Sequence, residues 1–188
     1  MLKLYYTSTK GQDEVQSKFY SSLGGYKSST PVRNDSFDNF FGEVSSYTIA
    51  NNSDPQYIGL VLKNEGADKT GLKIYFERDE KCYSKIYVAA VTMIADSDGK
   101  YMFEHVPTLN SSPLYATFYE AEGVDTAVSL GDLDEGAMIG LWLKREILRD
   151  VAEQDASVVA VQDPEDEHRM IPVVLDKLDT INMVLEYD

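Results

Sequence analysis

The segment YIGLVLKNEGADKTGLKIYFE, from Tyr57 to Glu77, constrains the fold more than any other part of the sequence. Apolar residues take every second position on both sides of a polar break, and these are Ile58, Leu60 and Leu62, then Leu72, Ile74 and Phe76. A period of two places successive side chains on opposite faces of an extended strand. The segment therefore predicts two antiparallel strands joined by a turn, each with one face toward a core.

Similar patterns extend this interpretation to most of the chain. Strands are predicted at Leu2–Tyr6 and from Ala137 to about Arg145, with a helical turn allowed after the second one. The run Lys85–Ile94 is apolar on both faces, which is typical of a strand covered on two sides. An Asp-Gly pair at 98–99 predicts a hairpin turn before a return strand at Tyr101–Val106. Together these strands predict an all-β, immunoglobulin-like antiparallel β-sandwich.

Shorter patterns predict further strands at Tyr47–Ala50, Leu114–Phe118 and Val128–Leu130. The aromatic cluster FDNFFGEV, residues 37–44, is expected to close one end of the core. The core itself is expected to contain the inward-facing apolar residues of the strands, which are Ile58, Leu60, Leu62, Leu72, Ile74, Phe76, Val88, Phe118, Ile139, Leu141 and Leu143.

The chain length of 188 residues suits one domain with a small appendage. Residues 1–150 are predicted to form the sandwich, and the polar, glycine-containing stretch 9–30 within them is predicted to be a long loop or arm with a Gly24-Gly25 turn. Beyond residue 150 the sequence changes to short apolar segments separated by charged residues, and Pro172 argues for an edge strand. We therefore expect residues 151–188 to form a C-terminal β extension.

The acidic composition limits the classes of partner. The chain has 32 Asp and Glu residues against 17 Lys and Arg, a formal net charge of −15, which disfavours direct binding to nucleic acid. A negative surplus keeps a protein soluble and also suits a basic partner. No apolar run approaches the ~20 residues of a membrane span, so no membrane partner is expected. Cys82 is the only cysteine, so an internal disulfide is excluded.

Residue types that carry catalysis are scarce. His105 and His168 are the only histidines, and neither belongs to a metal-ligand spacing or to a nucleophile–base motif. The acidic turn at 131–136, with Asp132, Asp134 and Glu135, is weak support for a cation or for acid–base work in a chain so rich in carboxylates. We therefore expect a protein that is not an enzyme, with no catalytic residues, no cofactor and no metal site.

Three segments taken together resemble a family of tailed-bacteriophage virion structural proteins. They are SLGGYKSST at 22–30, NFFGEVSSYTIANNSDPQYIGLVLKNEGADKTGLKIYFE at 39–77, and LNSSPLYATFYEAEGVDTAVSLGDLDEGAMIGLWLKREI at 109–147. The family pattern runs Leu-Gly-Gly-x-x-Ser, then Phe-x-x-Val before a strand that ends in Asn, then Leu-Gly-x-Leu and a Leu-Trp-Leu-x-Arg strand. The match covers less than half of the chain, and the extension at 151–188 departs from it.

The resemblance implies a non-enzymatic structural subunit of a phage particle, such as a ring, collar, tail or capsid-surface protein, that assembles as a symmetric homo-oligomer. Its implied location is the virion, and its implied partners are other virion proteins, such as portal, ring, tail or capsid proteins. An alternative from a different class is a carbohydrate-binding or adhesion β-sandwich. In that alternative the rings of Tyr101, Tyr115 and Tyr119 would be exposed and would stack on sugars.

The segments outside the predicted sandwich are the expected contacts between subunits. Unpaired strands expose backbone N–H and C=O groups, which invite pairing with another chain. Both segments could fold back on their own sandwich, and our hypothesis is that at least one crosses to a neighbour. The candidate interface residues are Phe19, Tyr20, Tyr26, Val158, Val161, Ile181 and Leu185.

Overall fold

The computed structural model describes residues 1–33, Phe41, 54–78, 84–148, 158–163, 166–174 and 181–188, with the backbone alone for 158–163 and 166–174. The strands are β1 (Leu2–Ser8), β2 (Gly24–Pro31), β3 (Gln56–Asn64), β4 (Lys69–Arg78), β5 (Ser84–Val91), β6 (Ile94–Ala95), β7 (Tyr101–His105), β8 (Tyr119–Glu120), β9 (Val128–Leu133), β10 (Met138–Ile147), β11 (Val158–Asp163), β12 (Asp166–Val174) and β13 (Ile181–Glu186). The predicted strand Tyr47–Ala50, most of the FDNFFGEV cluster and Cys82 lie outside the described residues.

These strands form three antiparallel sheets. The main sheet has eight strands in the order β6-β7-β2-β1-β3-β10-β5-β8, and the small sheet has three in the order β13-β4-β9. β11 and β12 pair with each other as a separate hairpin. Inward-facing residues from both the main and the small sheet form one shared core. The predicted all-β antiparallel sandwich is therefore confirmed.

The shared core follows the period-two pattern of the sequence. β10 runs antiparallel to β3 and places Leu141 opposite Leu60, and both side chains are fully buried. Every residue predicted for the core is buried except Phe118 and Ile139, which are half-buried. Phe118 lies outside any strand, with its ring centroid 5.6 Å from that of Tyr57. It covers the opposite face of the main sheet instead of the shared core.

A second core on that opposite face is centred on Trp142. Its indole is fully buried and packs edge-on against Phe103, with ring centroids 5.5 Å apart. β3 and β10 are consequently covered on both faces. Glycine makes room for the indole, because a Cβ added at Gly24 would lie 2.8 Å from the Trp142 ring and closer still to the Glu104 carbonyl oxygen.

The loop predicted at 9–30 is shorter than expected. It ends before Gly24, where β2 begins and pairs with both β1 and β7 in the main sheet. Gly24 and Gly25 have φ values of 84° and 94°, a region that favours glycine, and the register with β7 shifts between them. The prediction of a turn here is wrong. Turns and bulged strands both use the positive φ values that glycine permits, so a Gly-Gly pair alone does not distinguish them.

Two further strand predictions are corrected. Within the described residues 114–118 no strand forms, and the strand in this region is the two-residue β8. The backbone N–H groups of Leu114 and Tyr115 donate instead to the side chain of Glu104. β10 continues as a strand to Ile147, beyond the expected end near Arg145, because β5 still pairs with it after the β3 ladder ends at Arg145.

The last strand folds back on its own sandwich. β13 pairs with β4 along its whole length, from Ile181 opposite Arg78 to Glu186 opposite Lys73. Residues 181–186 therefore belong to the small sheet, and the hypothesis of an arm that crosses to a neighbour is wrong for this strand. The pairing was hidden in the sequence because about a hundred residues separate the two strands.

Candidate interaction surfaces

Leu114 and Tyr115 expose more of their side chains than any other large apolar residues in the described part of the chain, at 81% and 83%. They lie in the loop between β7 and β8. The Glu104 carboxylate on β7 accepts hydrogen bonds from both backbone N–H groups, at 2.8 Å from Leu114 and 3.0 Å from Tyr115. The backbone of this pair, here called the Leu114–Tyr115 tip, is therefore fixed while its side chains face solvent.

The rest of this loop is anchored to the start of β3. The Leu109 carbonyl oxygen accepts a hydrogen bond of 2.6 Å from the Tyr57 N–H group. The Asn110 side-chain amide donates to the Pro55 carbonyl oxygen at 3.2 Å. Pro113, directly before the tip, is buried. Little conformational entropy of the loop is therefore lost when a partner binds the tip.

The three tyrosines considered for sugar binding are exposed but lie on different elements. Tyr101 on β7 is 50% exposed, and Tyr119 on β8 is 59% exposed. β7 and β8 lie toward opposite ends of the strand order in the main sheet, and Tyr115 lies in the loop between them. The strand order therefore does not place the three rings on one strand or on neighbouring strands, where cross-strand side chains would form a stripe.

β13 forms a long edge of the small sheet. It pairs with β4 on one side without a register shift, and no other described strand pairs with its outer side. Its inward-facing residues Ile181, Met183 and Leu185 are only partly buried against the shared core. The strand INMVLE has no Lys or Pro, the residues that commonly block edge pairing, and its one charge is Glu186. Among the described strands, none occupies this edge.

The other edges of the sandwich are less open. The main sheet ends in β6 and β8, which have two residues each. β9, at the other edge of the small sheet, has two register shifts against β4 and contains Gly131 with a φ of 77°. Short strands and bulges discourage pairing with another chain. Among the described edges of the sandwich, β13 is thus the long and regular one.

The structure separates the residues that the sequence suggested for an interface. Phe19 is buried, with its ring centroid 4.9 Å from that of Tyr6. Tyr26 is half-buried and its hydroxyl donates to Asp96 at 2.8 Å, whereas Tyr20 is 55% exposed. Phe19 therefore contributes to the core of its own chain, and Tyr20 is the more accessible of the two neighbours.

The remaining suggested interface residues lie on the C-terminal strands. Ile181 and Leu185 on β13 are partly buried against the shared core. Val158 and Val161 lie on β11, where they pair with Val174 and Ile171 of β12. Sequence reasoning named Tyr115 as an exposed ring but placed Leu114 in a strand, so it missed the two residues as a joint surface; the Ser-Ser-Pro turn before them was the available signal.

A charged cluster that the sequence did not predict joins the two sheets beside β8. Arg78 of β4 forms an ion pair with Glu122, and Lys85 of β5 binds Glu120 at 2.9 Å. An isolated bridge between Phe76 and Glu122 links the same segment to β4. Burial raises the pKa of the Glu122 carboxyl, against the opposing effect of Arg78. Lys85 and Glu120 both lie in the main sheet, whereas Arg78 lies in the small sheet. The Arg78–Glu122 ion pair is therefore the contact that fastens the two sheets together.

The acidic turns bind the backbone of their own chain. Asp132 accepts a hydrogen bond from the Gly71 N–H group at 2.9 Å. The Asp96 carboxylate accepts from the N–H groups of Asp98 and Lys100, each at 2.9 Å, and so closes the β6–β7 hairpin. No group of three or more His, Cys, Asp or Glu side chains in the described part of the chain is arranged to hold a metal ion.

No helix among the described residues is both long and apolar enough to cross a membrane. Comparison of the chain with protein-family models, with curated proteins and with solved structures finds no match.

Proposed function

We propose that the chain is a non-enzymatic structural subunit that assembles with copies of itself and with other proteins of a tailed-phage particle. The Leu114–Tyr115 tip is the observation that carries the assembly part of this proposal. The phage particle is proposed from the resemblance of segments 22–30, 39–77 and 109–147 to virion structural proteins.

The tip has the properties of an interface anchor. Burying a side chain as large as leucine contributes about 1.5–3 kcal/mol. Tyrosine is enriched among the residues that dominate interface energies. The hydrogen bonds from Leu114 and Tyr115 to Glu104 fix the backbone before any partner arrives, so more of this burial energy contributes to affinity.

The negative charge of the chain makes such apolar contacts necessary for assembly. Copies that each carry a formal charge of −15 repel one another over a Debye length, about 8–10 Å at moderate salt. Contacts between copies then depend on short-range burial of apolar groups. We therefore expect assembly to strengthen when added salt screens the repulsion.

A carbohydrate-binding module is the second candidate function. The observation that favours it is the exposed ring of Tyr115, whose face is available for stacking on a sugar. The two functions differ in what they require from Leu114. An aliphatic side chain contributes burial to a protein interface, whereas sugar stacking depends on the aromatic ring.

The deciding experiment measures molar mass by light scattering, and glycan-array binding, for the wild type and for Leu114→Ala and Tyr115→Ala. We expect the wild type to be an oligomer, and both variants to weaken association by roughly tenfold or more. Val15→Ala is the matched control, because Val15 is 80% exposed in a different loop. It should leave the mass unchanged.

Three outcomes would contradict the proposal. The wild type would remain a monomer up to high protein concentration and salt, or both tip variants would associate as the wild type does. Alternatively, the monomer would bind a glycan, and Tyr115→Ala but not Leu114→Ala would abolish that binding. Detection of the chain by mass spectrometry in purified phage particles tests the proposed location separately.

A further inference from the structure

We propose that β11 of one copy adds as a fourth strand to the free edge of β13 in the next copy. The inference rests on the proposed function, because it names a surface through which copies assemble. Both elements lack a neighbour on one side among the described strands, since β13 ends the small sheet and β11 pairs only with β12. A two-stranded hairpin is marginally stable alone in water, so a third strand would stabilise it.

The composition of the hairpin identifies β11 as the donor strand. β12 contains Pro172, which lacks an N–H group and is therefore poorly suited to pairing on both sides. β11, with the sequence VVAVQD, contains no proline and no lysine. Its outer edge therefore has every backbone donor and acceptor that a new ladder requires.

β11 and β13 match in length and in pattern. Each has six residues, and an antiparallel alignment over the full length places Gln162 opposite Asn182. The same alignment pairs apolar residues with apolar residues at three consecutive positions, and these pairs are Val159 with Leu185, Ala160 with Val184, and Val161 with Met183. Matched pairs of this kind are the unit of sheet stabilisation.

Charge selects the antiparallel direction. In that alignment Asp163 and Glu186 lie at opposite ends of the ladder, roughly 17 Å apart. A parallel alignment would bring the two carboxylates together at the same end, and like charges that face each other destabilise a sheet. Only the antiparallel alignment of β11 with β13 therefore keeps the two carboxylates apart.

A second β13 is a poorer occupant of the edge than β11. An antiparallel pair of two β13 strands would place Asn182 opposite Leu185 twice, once on each side of the two-fold axis. Each of these pairs sets an amide against an aliphatic side chain. The β11 alignment has no such pair in its central four positions.

The connection from β12 to β13 disfavours pairing within one chain. If β11 were antiparallel to its own β13, then β12 would run parallel to that β13, because β11 and β12 are antiparallel. With β11 between them, the segment 175–180 would then cross the length of a six-residue strand and two strand spacings, roughly 20 Å in a straight line. The seven Cα–Cα steps from residue 174 to residue 181 reach at most about 25 Å when fully extended, and parallel connections normally use a dozen or more residues.

Donation from one copy to the next is a head-to-tail contact. The donor surface and the acceptor surface differ, so each copy can donate its hairpin to one neighbour and accept a hairpin from another. Contacts of this type close into rings when the rotation between copies permits, and otherwise form filaments. The assembly would therefore be either a closed ring with cyclic symmetry or a helical filament.

Cysteine cross-linking tests the register directly. In a Cys82→Ser background, Gln162→Cys and Asn182→Cys are purified as separate proteins, mixed, and oxidised with copper phenanthroline. Paired positions bring Cβ atoms to about 4.5–5.5 Å, close to what a disulfide requires. We expect a covalent dimer in at least tenfold higher yield than from the control mixture of Gln162→Cys with Glu186→Cys. In that control the positions are about four residues out of register, or roughly 13 Å apart.

The remaining outcomes overturn the inference in distinguishable ways. A chain that carries both Gln162→Cys and Asn182→Cys, and that cross-links as a monomer, would show pairing within one chain. An oligomeric wild type with no cross-link above the control would mean that copies assemble through another surface, and the proposed function would survive. A wild type that is monomeric at every concentration and salt, with no cross-link, would remove both proposals.

Discussion

The side-chain amide of Asn64 donates a hydrogen bond of 2.9 Å to the carbonyl oxygen of Leu133, and so ties the end of β3 to the end of β9. The same amide donates to the Ala67 carbonyl oxygen at 2.9 Å, and its Oδ1 accepts from the Gly66 N–H group at 3.1 Å. Asn64 is fully buried. One side chain therefore connects the main sheet to the small sheet and fixes the turn between β3 and β4.

Asn64→Asp should destabilise the fold by about 2 kcal/mol or more, because a carboxylate has no N–H groups to donate to the two carbonyl oxygens. Urea unfolding at neutral pH measures the loss. Asn110→Asp makes the same chemical change at an exposed amide that donates to the Pro55 carbonyl oxygen, and should cost only about 0.5–1 kcal/mol. Equal effects at the two positions would show that burial of the Asn64 network contributes nothing.

Leu60→Ala and Leu141→Ala should each cost about 2–5 kcal/mol, since each leaves a cavity in the shared core. The two residues face each other across β3 and β10, so the double variant should deviate from additivity by about 0.5 kcal/mol or more. Val15→Ala, at an 80% exposed position in a loop, is the control and should leave stability unchanged. Losses under about 0.5 kcal/mol at both core positions would mean that the strands present their opposite faces to the core.

Gly24→Ala should be far more disruptive than Gly99→Ala. Both glycines have positive φ values, 84° and 74°, so alanine is strained at either position. A Cβ at Gly99 meets nothing within 4 Å, so this variant should cost about 1 kcal/mol. A Cβ at Gly24 meets Trp142 and the β7 backbone, which should add about 1–3 kcal/mol. Similar melting temperatures for the two variants would contradict close packing around Trp142.

Stability should fall in acid as the Glu65 carboxylate becomes protonated. Hydrogen bonds from Lys3 and from the Tyr5 hydroxyl lower the pKa of Glu65 from 4.5 to about 2. Because the folded-state pKa is the lower one, the stabilisation is present above the ordinary value and is lost as pH falls from about 4.5 to about 2. Glu65→Gln keeps an acceptor for Tyr5 but has no charge to lose. Its urea midpoint should therefore change less than that of the wild type across this window, and parallel curves would contradict the assignment.

Stability should also fall in strong base because of Tyr5. Burial, followed by the hydrogen bond to Glu65, raises the pKa of the Tyr5 hydroxyl to about 12. A raised folded-state pKa gives stabilisation that is present below the ordinary value of 10 and is lost as pH rises toward about 12. Tyr5→Phe has no hydroxyl to ionise, so its urea midpoint should decline less than that of the wild type between these values. An equal decline would assign the loss to other groups.

Removing residues 181–188 should destabilise the sandwich strongly, because β13 supplies a whole strand of the small sheet and half-buried core residues. Circular dichroism and urea unfolding would show a lower midpoint or an unfolded chain. Deleting residues 158–174, which form the separate hairpin, is the contrasting variant and should leave a folded sandwich. A fully stable chain without β13 would show that β4 does not need this neighbour.

Local sequence patterns were sufficient to predict β1, β3, β4 and β10. Alternation of apolar residues with a period of two both forms a strand and selects its buried face, so Leu60 and Leu141 were predicted to be inside before any strand partner was known. The Asp-Gly turn before β7 could also be predicted from local sequence, because the Asp96 carboxylate that accepts its closing hydrogen bonds lies within the same turn.

The tertiary structure decided which elements pair with which, because those contacts join residues far apart in the chain. Gly24 and Gly25 suit a turn or a bulge equally well, and their pairing with β7 makes them a bulged strand. The pattern at 114–118 resembles a strand, but Glu104 takes its backbone N–H groups and leaves Leu114 and Tyr115 in solvent. β13 belongs to the small sheet because it pairs with an edge of β4 that would otherwise have no neighbour among the described strands. The alternation of apolar and polar residues is a property of neighbouring residues. Which strand pairs with which depends on strand edges far away in the sequence and on the space that surrounding side chains leave.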